Sequence, residues 1–531
     1  MARHFAYMFE AKGIQPFVFH SGKLRDIVGA SDLVAGLAAS DGGDEIGKLL
    51  GGLAPDFSRR AGGAFCLHSD DRDALTALRA RWRFSVLTKS PGLEFVDAIG
   101  ETDGNPLDAM RDCFRRLGGI RANSAADVPG RGRPITRIAP LTGRPAVVSK
   151  KYGKDSVLID AVGLPQRRRA DAGKLGLVAE RFVADAAKWK FPRDYDEDSD
   201  ETTAGERRAD NPLFPFRGDD RRIAVVHADL SGLGQMFRDL GGSYTRPDQN
   251  CGLASKIEAE IEAAAKAASS DWVTPFAHGE VLPLRPVLLG GDDITAIIRA
   301  DLALPFTEAL LVAIEKQCAS IGEADGRPAL SACAGVAIVG KGTPYLTAYE
   351  LADSLCRFAK RAAKRKLIAD SHGREGFPSA LAFHLYQHSA HDDYERVIAR
   401  NAIDCDGGPF TANPYYTGAR AGGHCTIAQL FALATALAEL KGGAGRAREL
   451  RTLLCDNASL ADAAWARWRE VAQARQGVAW KAFETALEQG DGAPRGASGL
   501  YDALQLIDLD AITARKKATA DGPTQQLERV A

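Results

Sequence analysis

The stretch RPVLLGGDDITAII, Arg285–Ile298, decides how this chain is read. Two apolar runs, Val281–Leu289 and Ile294–Ile298, flank Gly290-Gly291-Asp292-Asp293, which is the pattern of two strands joined by a tight turn. Gly and Asp are ordinary turn residues, so the four residues alone specify a hairpin and no chemistry. Their neighbours add the chemistry. Ile223–His227 reads as an earlier strand, and Asp229 stands just past its end.

Working outward, the apolar period changes in an orderly way. Leu253, Ile257, Ile261 and Ala264 recur at helical spacing between the first strand and the hairpin. Leu310–Ile321 is helical, with Pro305 placed just ahead of it. Ala329–Val339 is a small-residue strand of the kind buried on both faces. Tyr345–Lys364 is an amphipathic helix, with Ala348, Leu351, Leu355, Phe358 and Ala362 on one face. Glu350, Asp353, Arg357, Lys360 and Lys364 form the other face. The order strand, helix, strand, strand, helix, strand, helix predicts a ferredoxin-like unit, the core of polymerase and cyclase palms. That order alone does not specify a function.

A fainter copy of the order occupies the N-terminal part. His4–Glu10, Gly63–His68 and Leu93–Ile99 read as strands, and Lys23–Ala39 and Asp71–Arg81 as helices. Its turn, Gly62-Gly63-Ala64-Phe65, carries no carboxylate. Between the copies, Asp194–Glu201 is acidic and polar, and Asn211-Pro212 and Phe214-Pro215 follow, which reads as an exposed connector. Ile427, Leu430, Phe431, Ala434 and Leu437 open an alanine-rich helical region that ends in a polar tail from Lys516. The expected fold class is therefore α+β: two ferredoxin-like palms with a C-terminal helical bundle. The expected division is a degenerate palm with an insert over 1–187, a polar linker over 188–222, a catalytic palm over 223–419 and a helical domain over 420–531.

The bulk numbers bound the function. In 531 residues there are 68 basic and 69 acidic side chains, a formal net charge of -1, so no global field draws the chain to nucleic acid or membrane. Nine cysteines occur singly, with no CxxC pair, which predicts a reducing cytoplasm and no zinc ribbon. No apolar run approaches the length of a membrane span, and Met1 leads into no signal peptide.

Phosphoryl transfer needs divalent metal against the phosphates and an aligned hydroxyl, and little else from the protein. Magnesium takes one or two carboxylates plus phosphate oxygens and water, and two metals about 4 Å apart stabilise both the attacking and the leaving oxygen. In a ferredoxin-like sheet the first and third strands are neighbours, so Asp229 converges on Asp292 and Asp293. These three carboxylates and the Leu230 carbonyl are the expected ligands of Mg2+ or Mn2+, with Asp292 and Asp293 catalytic. Gly290, Gly291, Gly232 and Gly234 leave room for a triphosphate beside the backbone. The Ser231-Gly232-Leu233-Gly234 turn opens a short helix whose free amides face phosphate oxygens.

HADLSGLGQMF (227–237), RPVLLGGDDITAIIRADLALPFTEALL (285–311) and LSACAGVAIVGKGTPYLTAYELADSLCRFAKRAAK (330–364) together resemble the second palm of the large, polymerase/cyclase-like subunit of type III CRISPR complexes. FEAKGIQPFVFHSGKLRDIVGASDLV (9–34) is similar to that subunit's first palm, and FTANPYYT (410–417) adds to the likeness. The resemblance implies a nucleotidyl cyclase that builds cyclic oligoadenylate from ATP in antiviral defence, with nucleotides bound between two facing palms. It implies that Lys360 and Lys364 meet the triphosphate, and that guide RNA and other subunits are partners. Larger members begin with an HD nuclease domain, whereas this chain starts at the palm, and His391-Asp392 reads as surface charge. The Thr142-Gly143-Arg144-Pro145-Ala146 turn lacks the cysteines of the family's zinc knob, so no zinc is expected. Asp229-Leu230-Ser231-Gly232 replaces the family's Asp-Gly-Asn-Gly, which leaves nucleotide choice open. Two alternatives stand beside the cyclase: a scaffold that senses nucleotide, and a stand-alone cyclic dinucleotide synthase.

Overall fold

The computed structural model describes residues 3–38, 45–61, 63–123, 136–152, 155–172, 176–193, 195, 213–241, 244, 246–321, 330–369, 373, 375–386, 393–401, 408–418, 421, 425–489 and 499–520. The His391-Asp392 pair, Gly62 and the acidic 196–201 run lie outside these residues.

The N-terminal sheet uses β1 (His4–Lys12), β2 (Asp56–Ala61), β3 (Ala64–Ser69) and β4 (Glu94–Thr102). Helices α1 (Ile14–Val18) and α2 (Leu24–Ala38) follow β1, α3 (Arg72–Lys89) joins β3 to β4, and α4 (Pro106–Asn123) follows β4. The strand order β2-β3-β1-β4, antiparallel throughout, is the ferredoxin-like order. The sequence pattern misses β2, because Asp56–Ala61 is polar and edge-like, with Arg59 and Arg60 in it. Gly63, at a φ of 71°, leads directly into β3.

A short hairpin, β5 (Ala146–Tyr152) with β6 (Asp155–Asp160), leads to α5 (Gly163–Ala172) and α6 (Leu177–Phe182). At its described flanks the expected connector is docked against the fold. The Lys190 amide donates to Glu280 (2.7 Å) and its carbonyl accepts from Leu282 (3.0 Å). Phe191 and Phe214 are buried, and Tyr195, Phe214, Phe216 and Tyr345 form a ring cluster. Aromatic residues interrupting a polar run supply the apolar surface that the acidic centre lacks.

The second sheet repeats the order with additions. It contains β7 (Arg222–Ser231), β8 (Leu284–Gly290), β9 (Asp293–Arg299) and β10 (Ser331–Gly340). α7 (Leu233–Gly241) and α8 (Pro247–Trp272) follow β7, α9 (Ala300–Gln317) follows β9, and α10 (Tyr345–Ala363) follows β10. A two-residue ladder of β11 (Ile368–Ala369) and β12 (Glu375–Gly376) precedes β13 (Ser379–Leu385) and β14 (Tyr415–Thr417). The sheet order is β14-β13-β10-β7-β9-β8. Helix α9 begins at Ala300, so Pro305 lies inside it and not ahead of it. The run Leu302–Phe306 is fully buried, and that burial outweighs one missing backbone donor.

Alternation along β7 gives the sheet two faces. Ala224, Val226, Ala228 and Leu230 join a core with α8, α9 and the C-terminal helices. Ile223 and Val225 join the other core with α10 and with Tyr7, Phe9 and Phe65 of the N-terminal sheet. Both sheets bring the helix after the fourth strand into close contact through a glycine. A Cβ on Gly335 would lie 1.9 Å from the Ala352 carbonyl oxygen, and one on Gly100 would lie 2.2 Å from that of Ala109.

After α11 (Tyr394–Asn401), the C-terminal helices are α12 (Ile427–Glu439), α13 (Gly443–Asp456), α14 (Ala458–Gln489), α15 (Gly499–Asp508) and α16 (Ala511–Ala520). Helix α16 continues through Lys516, where a polar tail was expected to start. Asp502 anchors α15 to the sheet side. Its Oδ2 accepts from Tyr415 Oη (2.5 Å), the Ala412 amide (2.9 Å) and Thr411 Oγ1 (3.0 Å), with no exposure to solvent. Asp502→Ala strands the buried Tyr415 hydroxyl and is expected to destabilise the C-terminal region by about 3 kcal/mol, read as a lower thermal midpoint and faster proteolysis near 499–520.

The pH dependence has a definite sign. Burial holds His68 and His384 at about 4, so their stabilisation is present above 6.5 and is lost as pH falls toward 4. By pH 5 each costs about 2 kcal/mol. Burial instead raises Asp502 to about 6, so its charge weakens the fold as pH rises through that value, and acidification to pH 5 returns roughly 1 kcal/mol. His227, at about 4, and Asp293, at about 7, nearly cancel over this interval, so the expected net is a loss of about 2 kcal/mol between pH 7 and pH 5. A thermal midpoint that stays level or climbs over that interval would contradict it.

Candidate acidic site at the ends of β7 and β9

The site forms where β7 and β9 end together. Asp229 lies directly opposite Asp293 in the antiparallel register, and Asp292 occupies the turn. Gly290 pairs with Asp293, so Gly291 and Asp292 are the two loop residues. Gly291 has a φ of 65°, the position where a two-residue hairpin needs glycine. The Leu230 amide donates to the Asp292 carbonyl (3.3 Å), which ties the turn to the end of β7.

Alternation places Asp229 and His227 on the face covered by α10, and that helix supplies the partner. Lys360 Nζ lies 2.5 Å from Asp229 Oδ2 and 2.8 Å from the Leu230 carbonyl oxygen. These are two of the oxygens expected to bind metal. Lys364 caps α10 and is exposed, and its charge acts on Asp229 only at longer range.

The electrostatics are those of crowded carboxylates. Burial, together with the charges of Asp292, Asp229 and Asp353, pushes Asp293 up to about 7. Burial also raises Asp229, against the opposing pull of Lys360. His227 is held neutral by burial at about 4, with Nδ1 3.1 Å from Thr295 Oγ1 and Nε2 3.9 Å from Asp353.

Around the turn into α7, Gly232 has a φ of 85° and open space on its Cα, and its carbonyl accepts from the Gln235 and Met236 amides. Gly234 is exposed and Leu233 is half-buried against the core. The Ser231 hydroxyl is buried, 3.8 Å from the Cys333 thiol.

Sequence reasoning missed four residues. Asp353 stands seven positions before Lys360 on α10, a spacing that returns to the same helix face, so the signal was present. Tyr349 packs edge-on to His227 (5.2 Å) and tilted on Phe19 (5.1 Å), and it is hydrogen-bonded to Gln15. Gln15 and Phe19 thus link the N-terminal sheet's helical connection to the site, which no local pattern could show. The N-terminal sheet also has an acidic strand end. Glu10 pairs across from Ala64 and is neutralised by Arg121 of α4.

The residues fit a divalent ion in part. Among the described residues no three carboxylate, imidazole or thiol donors are gathered into a ready-made metal site. Magnesium requires only one or two carboxylates when phosphate and water complete its shell. Asp229 and the Leu230 carbonyl already hold one cationic group, and Asp293 sits in an excess of negative charge.

The class defined so far is a mixed α/β chain with two ferredoxin-like sheets, one of which carries an acidic strand-end site. No protein-family profile matches the sequence, and no curated protein matches it. Solved structures similar to it include the Csm1-Csm4 cassette in complex with cA4, at 13% identity and a TM-score of 0.47. The Csm1-Csm4 cassette in complex with AMPPNP gives 14% and 0.49, and Csm1 of T.onnurineus gives 15% and 0.48. Each alignment covers 96% of this chain and 70% of the other. Among the described residues no helix is long and apolar enough to cross a membrane.

Proposed function

We propose that this chain is a metal-dependent nucleotidyltransferase that converts ATP to cyclic oligoadenylate, as the palm-type catalytic subunit of a type III-like antiviral complex with guide RNA and other subunits. The observation that carries this reading is the opposition of Asp229 and Asp293 at adjoining strand ends, with Asp292 in the turn between β8 and β9. Asp229, the Leu230 carbonyl, Asp292 and Asp293 would hold Mg2+ or Mn2+, which when bound neutralises the triphosphate and favours ionisation of the attacking hydroxyl. The amides opening α7 and the open Gly232 and Gly291 surfaces receive phosphate oxygens. A 3′-hydroxyl attacks the α-phosphorus, and pyrophosphate leaves. On this reading residues 223–419 form the catalytic palm, 1–187 a palm without a full acidic set, and 420–531 a helical docking domain.

The test is release of pyrophosphate from ATP by the purified chain with Mn2+ or Mg2+, alone and with its RNA complex and target present. Cyclic oligoadenylate as product supports the reading. Nucleotide binding without any turnover would replace it with the sensing scaffold.

A further inference from the structure

We propose that Lys360 is the resident cation of the acidic site, and that a divalent metal seats on Asp229 only after this ammonium has left it. The inference rests on the metal-binding reading above and adds a residue that controls entry to the site. Lys360 Nζ bridges the Asp229 carboxylate (2.5 Å) and the Leu230 carbonyl (2.8 Å). A divalent ion bound to those oxygens at about 2.1 Å would overlap the ammonium, so the two occupants exclude each other.

The pair differs from a helix-surface salt bridge. Its members are far apart in sequence, and their side chains are 20% and 26% exposed, so water screens them incompletely. The local charge count also leaves room for exchange. The charges of Asp229, Asp292 and Asp353 all bear on Asp293, whereas the cations bearing on Asp229 are Lys360 and, at longer range, Lys364, and Arg357 pairs with Asp353 at 2.9 Å. The N-terminal sheet supplies the contrast. There Glu10 meets two cations, Arg121 and Lys12 (3.7 Å), and Ala64 rather than a second carboxylate stands opposite it. Cations outnumber the carboxylate at the first sheet's strand end, whereas carboxylates crowd the second's.

The experiment is a Mn2+ titration of the nucleotide-free full chain, followed by electron paramagnetic resonance, on wild type, Lys360→Met, Lys360→Gln and Asp229→Asn. Methionine keeps most of the stem volume, and glutamine keeps a donor for the Leu230 carbonyl should the methionine variant fold poorly. Both neutral variants are expected to bind Mn2+ at least about tenfold more tightly than wild type, because a competing charge a few ångströms away is gone. Their thermal midpoints should fall without metal and recover with Mn2+, a recovery that a purely structural lysine would not show. If wild type binds Mn2+, Asp229→Asn loses it, and the Lys360 variants gain nothing, the gating role is wrong while the metal site stands. If no variant binds Mn2+, both are wrong.

Discussion

Asp293→Asn is expected to lower ATP turnover by about three orders of magnitude while leaving the thermal midpoint unchanged or raised. Activity and stability part company because of where the side chain sits. Asp293 is half-buried, faces Asp229 across the ladder, and feels Asp292 and Asp353 as well. Its charge is therefore unfavourable to the fold, and burial and like charges hold its carboxyl up at about 7. An amide of the same shape removes the repulsion and keeps the packing. It also removes the negative charge that a metal and triphosphate would require. A carboxylate retained at a cost to the fold is the pattern of a working site rather than of a structural ion pair. Pyrophosphate release measured beside a melting curve decides the matter. A variant within tenfold of wild-type turnover, or one inactive because it has unfolded, would remove Asp293 from the catalytic set.

The carboxylate pair was legible because period and turn chemistry are both local. A two-residue Gly291-Asp292 loop between apolar strands fixes the register, and the ferredoxin-like order then forces β7 beside β9. Pro305 misled because its position ahead of Leu310 fits a helix start, yet the buried Leu302–Phe306 run extends the helix back to Ala300. The docking of the connector's flanks was not legible, since charge dominated the composition while Phe191, Phe214 and Phe216 supplied the anchors. Strand β2 was invisible for the opposite reason, being an edge strand too polar to stand out. Lys360 was legible as a basic face of α10, but its contact with Asp229 was not, because it depends on how close that helix lies to the sheet.

That closeness is set by Gly335, and Gly335→Ala is expected to cost about 3 kcal/mol or more. A methyl group there would lie 1.9 Å from the Ala352 carbonyl oxygen, 2.5 Å from the Cys356 amide nitrogen and 2.8 Å from Leu355 Cβ. The two nearest atoms are helix backbone, which cannot rotate aside, so α10 must back away from β10 as a unit. The same displacement draws Lys360 and Asp353, both carried by α10, away from Asp229 and His227. Turnover should therefore fall together with the thermal midpoint, unlike the separation expected for Asp293→Asn. Gly340→Ala is the matched control, because it ends the same strand with nothing within 4 Å of the added methyl. If Gly335→Ala melts with the control and keeps its turnover, close contact of α10 with the sheet is not what holds the acidic site together.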